Sequence, residues 1–233
     1  MTYIHTYIHT YIHTILRQKT RKLKACRGFT LAEVLLVITI IGVVASLTIP
    51  NMIQNIQDQQ YKAALKKTYA VLSEATTLMV EENGGNLKSI VEQGGCGVYG
   101  LRSKYRDYLK TLKTCTTCDT QGKCWHNWNE FYFLNGNPVG SGDWLYMGAG
   151  VILTDGSYVA IQDMSNDCTS FTGDVCGNVY VDVNGYKPPN KFGKDIYMFY
   201  IKQKGLFPLA VDDCDPSNPA HEGRTCATKR LLE

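Results

Sequence analysis

Three groups of residues in this chain have types and spacings that can do chemistry. Cys115-Thr-Thr-Cys118, followed by Cys124 and His126, has the spacing of a zinc site or of a redox dithiol. Asp182, Asn184 and Asp195, set around Gly185 and Gly193, offer oxygen atoms to a hard cation such as calcium, which takes about six to eight oxygen ligands. Glu33 is a lone carboxylate in an otherwise apolar stretch. A nucleophile–base–acid set is missing from this inventory. His126 and His221 are the only histidines beyond residue 28, and neither sits in a recognisable catalytic motif. An enzyme is not expected.

The element that must position Glu33 is the run from Phe29 to Ile49, 21 residues with no other charge. As a helix it measures about 31 Å, against about 30 Å for the hydrocarbon core of a bilayer. Residues 1–28 carry six basic side chains (Arg17, Lys19, Arg21, Lys22, Lys24, Arg27) and no acid. The positive-inside tendency keeps that flank in the cytoplasm and sends the remainder across. A carboxylate within such a span costs about 2.5–3.5 kcal/mol, so Glu33 either snorkels to the interface or has a partner.

The segment Arg27-Gly28-Phe29-Thr30-Leu31-Ala32-Glu33, with basic residues before it and an apolar helix after it, closely resembles the processing signal of type IV prepilins and of the pseudopilins of type II secretion. The resemblance implies cleavage after Gly28 by a membrane prepilin peptidase, N-methylation of the new N-terminus at Phe29, and a role for Glu33 in filament assembly. Gly42 and Pro50 fall where members of that family carry a helix-loosening glycine and proline. The implied partners are the peptidase, other pilin or pseudopilin subunits and the inner membrane. The family's major pseudopilins also hold calcium in a loop near the region of Asp182, Asn184 and Asp195. This sequence lacks their full loop and the EF-hand pattern, and Asx turns account for the same residues without metal.

Three parts follow: a cleaved leader over 1–28, a transmembrane and assembly helix over 29–50, and an exported globular domain over 51–233. The full chain has a formal charge of +3. Removing the six basic residues of 1–28 from the 24 present leaves 18 against 21 acids, a charge of −3, which is poor support for a nucleic-acid binder. Cys26 lies in the leader. Cys96, Cys115, Cys118, Cys124, Cys168, Cys176, Cys214 and Cys226 all lie beyond the span, and an even set on the exported side favours structural disulfides over zinc or redox chemistry. The Thr-Tyr-Ile-His repeat of residues 2–13 places His5, His9 and His13 at helical spacing, but it is a low-complexity stretch in the leader and is given no function.

Along the rest of the chain, Tyr61, Leu65, Tyr69, Leu72, Ala75 and Met79 recur at three- and four-residue steps. Together with the apolar run they predict one helix over 29–82, kinked near Pro50 and stopped by Asn83-Gly84-Gly85. Residues 101–114 read as a short helix with Leu101, Tyr105, Tyr108 and Leu112 on one face and Arg102, Arg106, Lys110 and Lys113 on another. The rings of Trp125, Trp128, Phe131, Tyr132, Phe133, Trp144 and Tyr146 predict a satellite core tied down by disulfides. Strands are expected at 151–154 and 157–161, joined by the Asp155-Gly156 turn, and at 179–183 and 196–201. The fold class is therefore α+β: a long N-terminal helix, its first half transmembrane, packed against a four-stranded antiparallel sheet with one buried face and disulfide-stapled loops.

The function expected from this is a structural subunit of a type IV pilus or of a type II secretion pseudopilus. The alternative is a minor pilin at a filament tip, binding DNA or a surface through the basic face Arg102–Lys113. A membrane-anchored thiol enzyme using Cys115 and Cys118 ranks third.

Overall fold

A computed structural model describes residues 28–91, 100–115, 122–140, 149–164, 167–169, 174–209 and 213–233. The first helix, α1, spans Leu31–Glu82 and contains Pro50 without ending there. Two compact units divide after Asn51.

In the first unit, α1 carries a window long and apolar enough to cross a membrane, and none of that window is buried within the chain. Leu35, Ile38, Ile41, Val44 and Leu47 are all exposed. Such a surface is stable only in lipid or against other helices. The hydroxyls within it are satisfied locally: Thr39 donates to the Leu35 carbonyl, Ser46 to that of Val43 and Thr48 to that of Val44.

In the second unit, the same helix turns one stripe inward, with Leu65, Thr68, Leu72, Ala75, Thr76 and Met79 buried. It ends where expected. Gly84 and Gly85 adopt positive φ, and the Gly85 N–H bonds back to the Val80 carbonyl at 2.9 Å. A second helix, α2 (Leu101–Tyr108), follows. Six strands then form one antiparallel sheet in chain order: β1 Thr111–Cys115, β2 Ala149–Leu153, β3 Tyr158–Asp163, β4 Val175–Asp182, β5 Ile196–Lys202 and β6 Gly205–Pro208. A short helix, α3 (Cys226–Leu232), ends the chain.

The class is as expected, and two features differ. The four predicted strands are present, but β1 and β6 extend the sheet on either side. β1 arises because the segment read as one helix over 101–114 stops at Tyr108: Leu109 turns to extended geometry, and Thr111 and Thr114 pair as strand residues with β2. β6 is too short for a periodicity signal and is held by its pairing with β5. The sheet is also buried on both faces. Val159, Ile161, Val179, Val181, Phe199 and Ile201 share a core with the inward stripe of α1. Tyr158, Ala160, Tyr180, Ile196 and Met198 point the other way and pack with Trp125, Phe131, Phe133, Val139 and Phe192. The expected aromatic satellite is thus a third layer covering the sheet's other face. Of the other rings expected there, Tyr132 is exposed, the Trp128 side chain is not described, and Trp144 and Tyr146 lie outside the described residues.

Candidate assembly site

At the start of α1, Thr30 and Glu33 satisfy each other. The Glu33 carboxylate accepts from the Thr30 backbone N–H at 2.8 Å and from the Thr30 hydroxyl at 2.9 Å. The Thr30 hydroxyl accepts in turn from the Glu33 backbone N–H at 3.2 Å. This is a capping box, in which two of the orphan donors of a helix N-terminus are bound reciprocally. Phe29, just outside it, is exposed. Gly28 and Gly42 meet nothing where a side chain would begin, so packing inside this chain demands glycine at neither position. Gly42 leaves a bare strip on an exposed apolar helix, which allows a second helix close approach. The surroundings of Glu33 contain no cation among the described residues.

The cysteines are joined as disulfides wherever both partners are described: Cys115–Cys124, Cys168–Cys176 and Cys214–Cys226. Cys26, Cys96 and Cys118 lie outside the described residues. The first bridge takes Cys115 and Cys124 out of a zinc site, since a disulfide sulfur is no thiolate ligand, and it pairs Cys115 with Cys124 where the dithiol reading had Cys118. Gly150, opposite Cys115 across the β1–β2 pair, makes room for it: a side chain there would begin 2.7 Å from the Cys124 Cβ.

His126, the fourth member of that cluster, faces elsewhere. Its Nε2 lies 2.7 Å from Asp182 Oδ2, and neither side chain is exposed to solvent. Rings of Trp125, Phe131, Tyr158 and Tyr186 surround it. The other Asp182 oxygen accepts from the Asn184 backbone N–H at 3.0 Å. Asp195 is also buried, and its two oxygens accept from the backbone N–H groups of Asn190 (2.8 Å) and Lys191 (2.6 Å). Asn184 donates through Nδ2 to Tyr61 and to the Lys187 and Pro188 carbonyls. Burial pushes Asp182 above the usual carboxylate range while the bond to His126 pulls it back. Burial, with the nearby Asp182 charge adding to it, pushes Asp195 up to about 7.

The structure brings the expected calcium residues Asp182, Asn184 and Asp195 into one loop, with both carboxylates already engaged by donors of the protein. Each carboxylate oxygen already holds a donor from the protein, and calcium would compete with His126 for Asp182. Among the described residues no group of three or more His, Cys, Asp or Glu is gathered as for a metal.

The basic face at 101–114 is not one face. Arg102 is buried, and its Nε sits 2.9 Å from Asp163 of β3. Lys110 and Lys113 belong to the extended segment after α2, where Lys113 donates to the Lys123 carbonyl at 3.0 Å. The helical spacing that lined up Arg102, Arg106, Lys110 and Lys113 is broken at Leu109, so the DNA- or surface-binding stripe read from the sequence does not form.

Two functional pairings were missed in the sequence. Thr30 had a signal, since Thr-x-x-Glu before an apolar run is the signature of a capping box. The His126–Asp182 pair had none: 56 positions separate the two residues, and only the folded sheet brings them together.

Residues 23–49 match a family described as the prokaryotic N-terminal methylation motif. The match covers the apolar half of α1 and the segment before it, and it is consistent with the type IV prepilin and pseudopilin family. No match was found among curated proteins or among solved structures.

Proposed function

We propose that this chain is the precursor of a filament subunit of the type IV pilus or type II secretion pseudopilus kind, structural rather than catalytic. It is inserted once in the inner membrane with residues 1–28 in the cytoplasm. A prepilin peptidase cuts after Gly28, Phe29 is methylated on its amine, and the mature subunit polymerises through α1. The observation that carries this reading is the pairing of a methylation motif with a helix whose first half buries nothing in its own chain. A helix of that kind needs lipid before assembly and neighbouring helices after it. The three disulfides of the second unit support an oxidising compartment for that part.

Within the filament, Glu33 of an incoming subunit meets the Phe29 amine of a neighbour. Each charge then offsets the desolvation of the other, and only one stagger of the two helices allows it.

The test is mass spectrometry of the N-terminal peptide from a sheared surface fraction. The expected peptide begins at Phe29 with one added methyl, and Gly28→Val leaves full-length precursor in the membrane. A native N-terminus downstream near Ala45, or normal processing of Gly28→Val, would overturn the proposal.

A further inference from the structure

The loop from Asp182 to Asp195 has the composition of a cation-binding loop, with two acids and two asparagines around glycine turns. Two buried carboxylates near each other are costly unless something compensates them. The compensating group comes from the chain itself. His126 enters from the aromatic layer on the far face of the sheet and places Nε2 at 2.7 Å from Asp182 Oδ2. Both side chains are fully buried, so the bond is made in a water-poor setting where it is strong.

We propose that the His126 imidazole occupies the place of a bound cation in this loop, so that the exported domain folds without calcium. The geometry supports a substitution rather than a coincidence of packing. A cation at Asp182 Oδ2 would compete with His126, and Oδ1 already accepts from the Asn184 N–H; the ring could leave only by abandoning its contacts with Trp125, Phe131, Tyr158 and Tyr186. Other oxygens of the loop still have the character of ligands. Asn184 Oδ1 and Asn190 Oδ1 are buried and accept no hydrogen bond, while the Nδ2 atom of each side chain donates to a backbone carbonyl, which fixes how the amide is turned. The pair also has a mechanical role. It fastens the 122–140 segment to the last residue of β4, where the sheet gives way to the loop.

The experiment follows the melting temperature of the mature full-length chain in detergent, in millimolar calcium and in excess chelator. Wild type is expected to melt at the same temperature in both. His126→Ala leaves Asp182 buried without its partner and is expected to melt roughly 6–15 °C lower in chelator. Calcium should return part of that loss, by entering the space the ring vacates. His126→Gln keeps an N–H donor for Asp182 and is expected to retain at least half of the lost stability without calcium. A wild-type chain that calcium stabilises would overturn the proposal, because the loop would then still use the ion. So would a His126→Ala variant as stable as wild type, or one indifferent to calcium. A His126→Gln variant as unstable as His126→Ala would show that the ring's packing matters and its bond to Asp182 does not.

Discussion

Glu33 is hydrogen-bonded to Thr30, three residues before it, through both the backbone N–H and the hydroxyl. The carboxylate that the proposed filament requires is therefore already engaged in the isolated chain, as the cap of its own helix. Leaving that cap for a neighbour's amine exchanges two hydrogen bonds for an ion pair. This gives the Glu33 side chain two separable jobs, and substitutions can tell them apart.

Glutamine serves in a capping box as well as glutamate does, but it carries no charge. Glu33→Gln should therefore insert, be cleaved after Gly28 and keep the start of α1, yet be depleted from the sheared fraction. Glu33→Val loses both jobs and should be depleted at least as far, with cleavage intact. The measurement is immunoblotting of mature protein in membrane and sheared fractions. Glu33→Gln filaments in normal amount would show that the residue acts only as a cap.

Arg102 and Asp163 are both buried, and removing one partner of such a pair costs about 3–5 kcal/mol. Arg102→Ala should lower the melting temperature by several degrees, since about 1 kcal/mol moves a domain of this size by roughly 2–4 °C. Lys104→Ala, on the exposed side of the same helix, should change it by less than about 2 °C. Equal effects from the two would contradict the buried placement of Arg102.

Peptide mapping without reduction should recover Cys115–Cys124, Cys168–Cys176 and Cys214–Cys226 as linked pairs, with none of the six alkylated under denaturing conditions. Replacing both cysteines of any one pair by serine should cost about 2–5 kcal/mol. A free thiol at Cys115 or Cys124 would reopen the metal reading of that cluster.

Asp195 sets a pH dependence. Burial raises its folded-state pKa from 3.8 to about 7, with Asp182 adding to the rise and backbone donors opposing it. A carboxyl whose folded pKa lies above its unfolded one contributes stability that is complete below the unfolded value and lost as the pH climbs through the folded value. The window is thus about pH 4 to 7, with stability falling upward. Asp195→Asn removes this contribution, so the advantage of wild type over the variant should be larger at about pH 5 than at about pH 8. A gap that is constant or grows with pH would show that Asp195 is ionised throughout, held by the Asn190 and Lys191 N–H groups.

What the sequence determined by itself is the part of the protein whose physics is local. An apolar run and a Gly-Phe-Thr-Leu-Ala-Glu signal mark a helix long and apolar enough to cross a membrane and the methylation motif matched at residues 23–49, because hydropathy and short motifs act within a few turns of one helix. The stripe from Leu65 to Met79, the stop at Asn83-Gly84-Gly85 and the Asp155-Gly156 hairpin were readable for the same reason. Tertiary structure decided everything that depends on distant segments meeting. Thr111–Cys115 is a strand because β2 offers it partners, although its lysine and leucine continue a helical spacing. Arg102 is an internal ion partner because α2 lies on β3, although Lys104 on the same short helix is exposed. Asp182 meets His126 because the sheet carries the end of β4 under the aromatic layer. No spacing along the chain encodes that meeting, since it is long-range packing that sets which charges are buried together.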